Sequence, residues 1–182
     1  MKFVIDNSHS LVEFSVKHMM VATTKGRFEK FQGVIELDDA NPANSSVEAT
    51  IEVTSINTHD EKRDGHLRSA DFFDVENYPQ ITFKSTKVEQ GKEDDHFQVT
   101  GDLTIHGVSR EVTLDVEYAG QAKNPWGITV AGFSTRTTIN RKDFGLNWNV
   151  ALETGGVLVS DKVTISLEIE AALQPAEVAA NS

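Results

Sequence analysis

From Lys162 to Ile169 the chain alternates without a fault: Lys162, Thr164, Ser166 and Glu168 are polar, while Val163, Ile165, Leu167 and Ile169 are apolar. A two-residue period lays the apolar set on one face of a pleated strand, and a slip of one residue would turn that whole set to water. The same pattern recurs along the chain. Val12, Phe14, Val16 and His18 alternate with Glu13, Ser15 and Lys17. Further strands are predicted over 28–37, over 46–54, from Ile81 and Phe83 to the loop at Gln90, and over 97–105, 112–118 and 129–139. Gly26 and Gly33 read as bends or bulges, His106-Gly107 as a two-residue hairpin turn, and Asn124-Pro125-Trp126-Gly127 as another turn. Eight antiparallel strands, each with one apolar face, predict an all-β chain: a meander closed into a barrel, which leaves no edge exposed to aggregation. Alternation alone leaves a Greek-key sandwich open as a second topology.

One stretch breaks the pattern. Residues 58–79, THDEKRDGHLRSADFFDVENYP, read as a short helical crossover between the third and fourth strands. Thr58 with Glu61 has capping-box spacing, and Asp60 and Glu61 put negative charge at the positive end of the helix dipole. Gly65 is expected to punctuate the first turn and Ser69 to cap a second through Phe72 and Phe73. Tyr78-Pro79 returns the backbone to an extended path.

Composition removes several function classes. The chain has 182 residues, 17 basic and 28 acidic, for a formal charge of −11. That balance argues against nucleic acid, which needs a basic face, and against docking on anionic lipid. With no cysteine, disulfides, zinc–thiolate sites and thiol nucleophiles are out. The first residues, MKFVIDNSHS, lack the apolar run of about 7–15 residues of a signal peptide, and no segment approaches the roughly 20 apolar residues of a membrane span. The expectation is a cytoplasmic protein without stable membrane insertion, or a periplasmic one if a leader has been removed. One domain over 1–173 is expected, with a disordered tail over 174–182. An edge-free barrel predicts a monomer or weak homodimer.

Several runs in order then resemble a known family: DNSHS at 6–10, FSVKH at 14–18, GRFEKFQG at 26–33, SINT at 55–58, RDGHLRSADFFD at 63–74, YP at 78–79 with TF at 82–83, GDLTIHGV at 101–108 and RKDFG at 141–145. Together, over roughly residues 3–173, the chain resembles the YceI-like family. The resemblance implies a lipocalin-like barrel with a helical crossover and a long pocket for a polyisoprenoid, such as a prenyl diphosphate or quinone tail, or for a fatty amide.

On that reading Phe14, Val16, Phe28, Phe31, Phe83, Leu103, Ile105, Phe133 and Trp148 would line the tube. Phe72, Phe73 and Phe144, which follow helix or turn signals, would form a lid or rim. His18, Arg63 and Asp143 are candidates for the ligand's head group. Each has a plainer account: the aromatic residues fill a small barrel, His18 emerges into water at a strand end, and Arg63 bonds Asp71 or Asp74 to hold the crossover down. A buried methylene is worth ~0.8 kcal/mol, so one prenyl unit gains roughly 3–4 kcal/mol. Eight units would exceed the ~18–21 kcal/mol ceiling on real affinities, so cavity depth must set chain length.

His59, Asp60, Asp64 and His66 carry ligand atoms, but at spacings that match no metal motif; no metal or cofactor is expected beyond a bound isoprenoid or fatty amphiphile. No GxSxG elbow is present. The leading expectation is non-enzymatic storage or transport of a long-chain isoprenoid. The rivals are a hydrolase or isomerase using His66 with Asp64 or His18, and a stress-related scaffold whose barrel is filled.

Overall fold

The computed structural model describes residues 1–175, so that of the tail expected over 174–182 all but the first two residues lie outside them. Among the described residues the strands are β1 (Lys2–Ile5), β2 (Leu11–His18), β3 (Ala22–Phe28), β4 (Phe31–Glu36), β5 (Ser46–Glu52), β6 (Ile56–Asn57), β7 (Gln80–Gln90), β8 (His96–Ile105), β9 (Val108–Lys123), β10 (Thr129–Asn140) and β11 (Val159–Leu173). One helix, α1 (Glu61–Arg68), lies between β6 and β7.

The ring β1-β4-β5-β7-β8-β9-β10-β11 returns to β1, giving a closed eight-stranded antiparallel barrel. The remaining strands continue three of these positions. Long β11 pairs β1 through Leu173–Ala171 and β2 through Glu168–Val159, so β1 and β2 are one barrel strand broken by a turn at Asn7–His9. In the same way β3 leads into β4, and β5 into β6 across a turn at Val53–Ser55. The eight strands read from alternation are therefore the eight of the barrel. β1 was not among the predicted strands, because Phe3-Val4-Ile5 is a continuous apolar run too short to show a period, yet Phe3 is wholly buried.

His106 and Gly107 both take positive φ, 55° and 71°, as a tight hairpin turn requires. Gly26 and Gly33, by contrast, are not bulges. They sit in regular register opposite Phe14 and Ala49. A Cβ on Gly26 would strike the Phe14 ring, and one on Gly33 would lie 2.6 Å from Ile5 Cδ1. These glycines make room for side chains across the strand pair.

Because successive strands run in opposite directions, the connections sort to two ends. Residues 19–21, the crossover, the 106–107 turn and the long connection 141–158 share one end. Connections 37–45, 91–95 and 124–128 share the other. The crossover end is packed shut. Val53, Ile56, Phe144 and Leu146 are buried there, and Leu67, Phe73 and Val75 of the crossover pack on them.

The crossover differs locally from its prediction. The helix cap is Asp60, whose carboxylate accepts from the Arg63 N–H at 3.0 Å. Thr58 is buried instead, with its amide and hydroxyl donating to the Asp64 carboxylate at 3.0 and 2.5 Å. Gly65 stays inside the helix, and Ser69 ends it, its hydroxyl donating to His66 O at 2.6 Å. Turns, rather than a second helix, carry the chain past Phe72, and Asp74 takes a left-handed φ of 50°.

Candidate functional site

A cavity of about 490 Å³ runs through the barrel, with an almost wholly apolar wall. Its residues come from the inward faces of nearly every strand: Val12 and Phe14 of β2, Phe83 of β7, Leu103 of β8, Val116 of β9, Phe133 of β10 and Ile165 of β11. Alternation explains this directly, since each of these is an apolar residue of a period-two strand. At the crossover end the cavity stops against Phe73, Arg141 and Leu146. At the opposite end its wall includes the loop residues Asp38, Asp39, Pro42 and Asp94, and Asp39 and Asp94 are exposed. The mouth is therefore at the end away from the helix.

Phe14, Phe28, Phe31, Phe83, Leu103, Ile105 and Phe133 face this cavity. Of the expected lid residues Phe73 borders it at the closed end, whereas Val16, His18, Arg63, Phe72, Asp143, Phe144 and Trp148 do not line it. Val16 is not part of the wall, although its cross-strand partner Val163 is, and the exposed His18 emerges at the strand end two residues on. Phe144 is buried in the packing of the closed end. Phe72 and Trp148 form an aromatic trio with His66, with ring centroids 5.2 Å (Phe72–Trp148), 5.1 Å (His66–Phe72) and 4.7 Å (His66–Trp148) apart, which ties the crossover to the 141–158 connection.

The proposed head-group residues are also at the closed end, and the guanidinium of Arg63 is occupied. Arg63 Nε and Nη2 donate to Thr58 Oγ1 and Thr58 O at 2.8 and 2.7 Å. Arg63 thus braces the start of the crossover through Thr58, with no bond to Asp71 or Asp74. Arg68 does similar work, donating to Thr54 O and Ile56 O at 3.1 and 3.0 Å. Asp143 is exposed, and its carbonyl accepts from Arg110 Nε at 3.1 Å.

Arg141 closes the floor. It is 3% exposed, and four of its hydrogens are spent on carbonyls: Nε on Ser160 O (2.9 Å), Nη1 on Leu146 O (2.6 Å) and Trp148 O (2.9 Å), and Nη2 on Val159 O (3.3 Å). Burial holds its guanidinium below the usual arginine range, with the Asp161 charge acting in the opposite sense.

The mouth residues were missed from the sequence. Gln121 Nε2 donates to Asp39 Oδ2 at 3.2 Å and to Tyr118 Oη at 2.9 Å, linking loop 37–45 to β9. Burial, with the Asp39 carboxylate nearby, pushes the Tyr118 phenol up despite the Gln121 bond. Tyr118 also stacks on Phe133 at 5.2 Å. The one sequence signal for this rim is that every acid in 37–45 and 91–95 lies in a connection of the same parity.

The chain matches the YceI-like domain over residues 3–171. It is 43% identical over 169 residues to a UPF0312 protein of Staphylococcus aureus (strain N315), covering 92% of this chain and 95% of that one. The chain belongs to the YceI-like family. Among solved structures it is similar to Burkholderia cenocepacia BcnA, with a TM-score of 0.78 and 29% identity over 91% of this chain and 98% of that one. The Campylobacter jejuni YCEI protein gives 0.73 and 34% over 87% and 90%. A polyisoprenoid-binding domain from Saccharophagus degradans, implicated in plant cell wall breakdown, shares the fold at 0.68 and 15% identity over 94% and 98%.

Within this YceI-like barrel the groups considered for acid–base chemistry stay apart from the cavity. Asp64 is buried against Thr58, His66 pairs with Asp71 at 2.9 Å on the surface, and His18 is exposed. His59, Asp60, Asp64 and His66 do not converge as metal ligands. Among the described residues, donor groups gather at Asp6, His9 and Glu170 and at Glu93, Asp95 and His96. In the first, the Asp6 carboxylate is held down to about 2, chiefly by the His9 hydrogen bond and then by Ser8. No helix among the described residues is long and apolar enough to cross a membrane.

Proposed function

We propose that the barrel binds one long-chain polyisoprenoid or similar amphiphile, tail inward, and carries or stores it without chemical change. The observation that supports this most is the 490 Å³ apolar cavity, closed at the crossover and open at one mouth. Its volume lies in the range of small-molecule sites, and an apolar tunnel with polarity confined to its mouth is what an amphiphile's tail and head require. The fold is shared with a domain named for polyisoprenoid binding, and the family resemblance points the same way. Phe14, Phe83, Leu103 and Phe133 would supply the binding energy by burying methylenes at ~0.8 kcal/mol each. Nothing in the geometry favours the hydrolase or isomerase reading, since His66, Asp64 and His18 neither converge nor reach the cavity. Native mass spectrometry, with organic extraction of the purified protein, tests the proposal. A one-to-one complex with an extractable lipid, or uptake of geranylgeraniol by the emptied protein, is expected. Recovery of no lipid together with no uptake would overturn it.

A further inference from the structure

The cavity fixes where a head group must lie, and the mouth's charge then discriminates between heads. At the floor, the one cation that touches the cavity among the described residues is Arg141, and four of its five hydrogens are already given to carbonyls. An anionic head carried to the floor would therefore lack a free partner, so the tail goes in first and the head stays at the rim.

The rim is acidic. Asp38, Asp39 and Asp94 all border the cavity. The three connections at that end, 37–45, 91–95 and 124–128, contain five acids and a single lysine. Asp38 is occupied: its carboxylate accepts from the Ala40 and Asn41 amides at 3.1 and 3.0 Å, and the Met1 ammonium, which donates to Leu37 O at 2.9 Å, is the cation beside it. Asp39 and Asp94 form no ion pair among the described residues. Asp39 receives one hydrogen bond, from Gln121. Ionised carboxylates only accept hydrogen bonds, so they are satisfied by a head that donates and repel one that carries negative charge.

Resting on the lipid-binding reading above, we infer that this mouth selects a donor-bearing head, an ammonium most strongly and an alcohol next, and rejects phosphate or carboxylate heads on the same tail. The source of selectivity is the field of Asp39 and Asp94, partly exposed to water, so it is salt-dependent: screening shortens to about 10 Å at 0.1 M ionic strength.

A matched series on one 20-carbon prenyl tail tests this: geranylgeranylamine, geranylgeraniol and geranylgeranyl diphosphate, measured by displacement of a neutral apolar dye below micelle-forming concentrations. At 20 mM salt the amine is expected to bind at least tenfold more tightly than the diphosphate, with the alcohol between them. The gap should narrow severalfold at 300 mM salt and in the Asp39→Asn/Asp94→Asn double variant, while the alcohol's affinity holds. Diphosphate binding equal to or tighter than amine binding, with the alcohol still bound, overturns the head-group inference and leaves the lipid-binding reading standing. Failure of all three to bind overturns both.

Discussion

Arg141 brings a positive charge into the closed end of an apolar tube with no carboxylate at bonding distance among the described residues, and the carbonyls of Leu146, Trp148, Val159 and Ser160 take its place as partners. It thereby stitches the 141–158 connection onto β11. Arg141→Met keeps the length of the side chain but leaves these buried acceptors short of donors. The expected loss is about 3 kcal/mol of stability, from the cost of unsatisfied buried polar groups, read as a shifted urea midpoint. An unchanged midpoint would mean that water replaces the guanidinium. Arg63→Ala should cost less, about 1 kcal/mol, because it removes bonds to Thr58 from a half-exposed side chain. Geranylgeraniol affinity should be unaltered, since Arg63 lies off the cavity; a large drop in affinity at unchanged stability would restore it as a head-group contact. The sequence offered Arg63 as a head-group contact or a pin to Asp71 or Asp74, and did not point to Thr58 as its partner. Alternation assigns a residue to a face, whereas the partner of a long side chain depends on a fold around it that no local pattern encodes.

Hairpin β7–β8 carries the mouth residue Asp94 and has its own titrating clasp. His96 Nδ1 meets Asp115 of β9 at 3.1 Å, with Glu93 and Asp95 at 3.8 and 3.9 Å from Nε2. The Asp115 hydrogen bond is the largest influence and raises the histidine above its usual 6.5, with the carboxylates adding to it and burial opposing. A raised folded-state value means that the clasp contributes fully below about pH 6.5 and is lost as pH rises through the folded value. An NMR titration should find His96 protonated to higher pH than free histidine, and Asp115→Asn should bring it back towards 6.5. Titration of His96 at the free value in the native protein would count against the clasp. Among the elements, the longer strands and the His106-Gly107 turn were legible because period and turn chemistry are local. The helix cap was not. Thr58 and Asp60 both suit the position, and burial of Thr58 against Asp64 decides between them.

For the molecule as a whole, strand count already determined which connections share an end, since each strand reverses direction. It did not say which end opens. That depends on packing between distant segments: Phe73 and Leu146 fill the crossover end, while the 37–45 and 91–95 connections stand round the other without covering it. The helical crossover, which drew attention in the sequence, accordingly packs at the floor of the cavity, and ligand is expected to enter at the other end. The absence of cysteine makes this directly testable, because a single introduced thiol is the only site for maleimide. Pro42→Cys places a label on the rim, and Lys62→Cys places one on the exposed face of α1. Coupling a bulky polymer maleimide at position 42 should slow geranylgeraniol uptake by at least tenfold. The same label at position 62 should leave uptake within twofold of the unlabelled protein. If the label at 62 blocks uptake and the one at 42 does not, ligand enters past the helix, and the rim acids lose their claim on the head group.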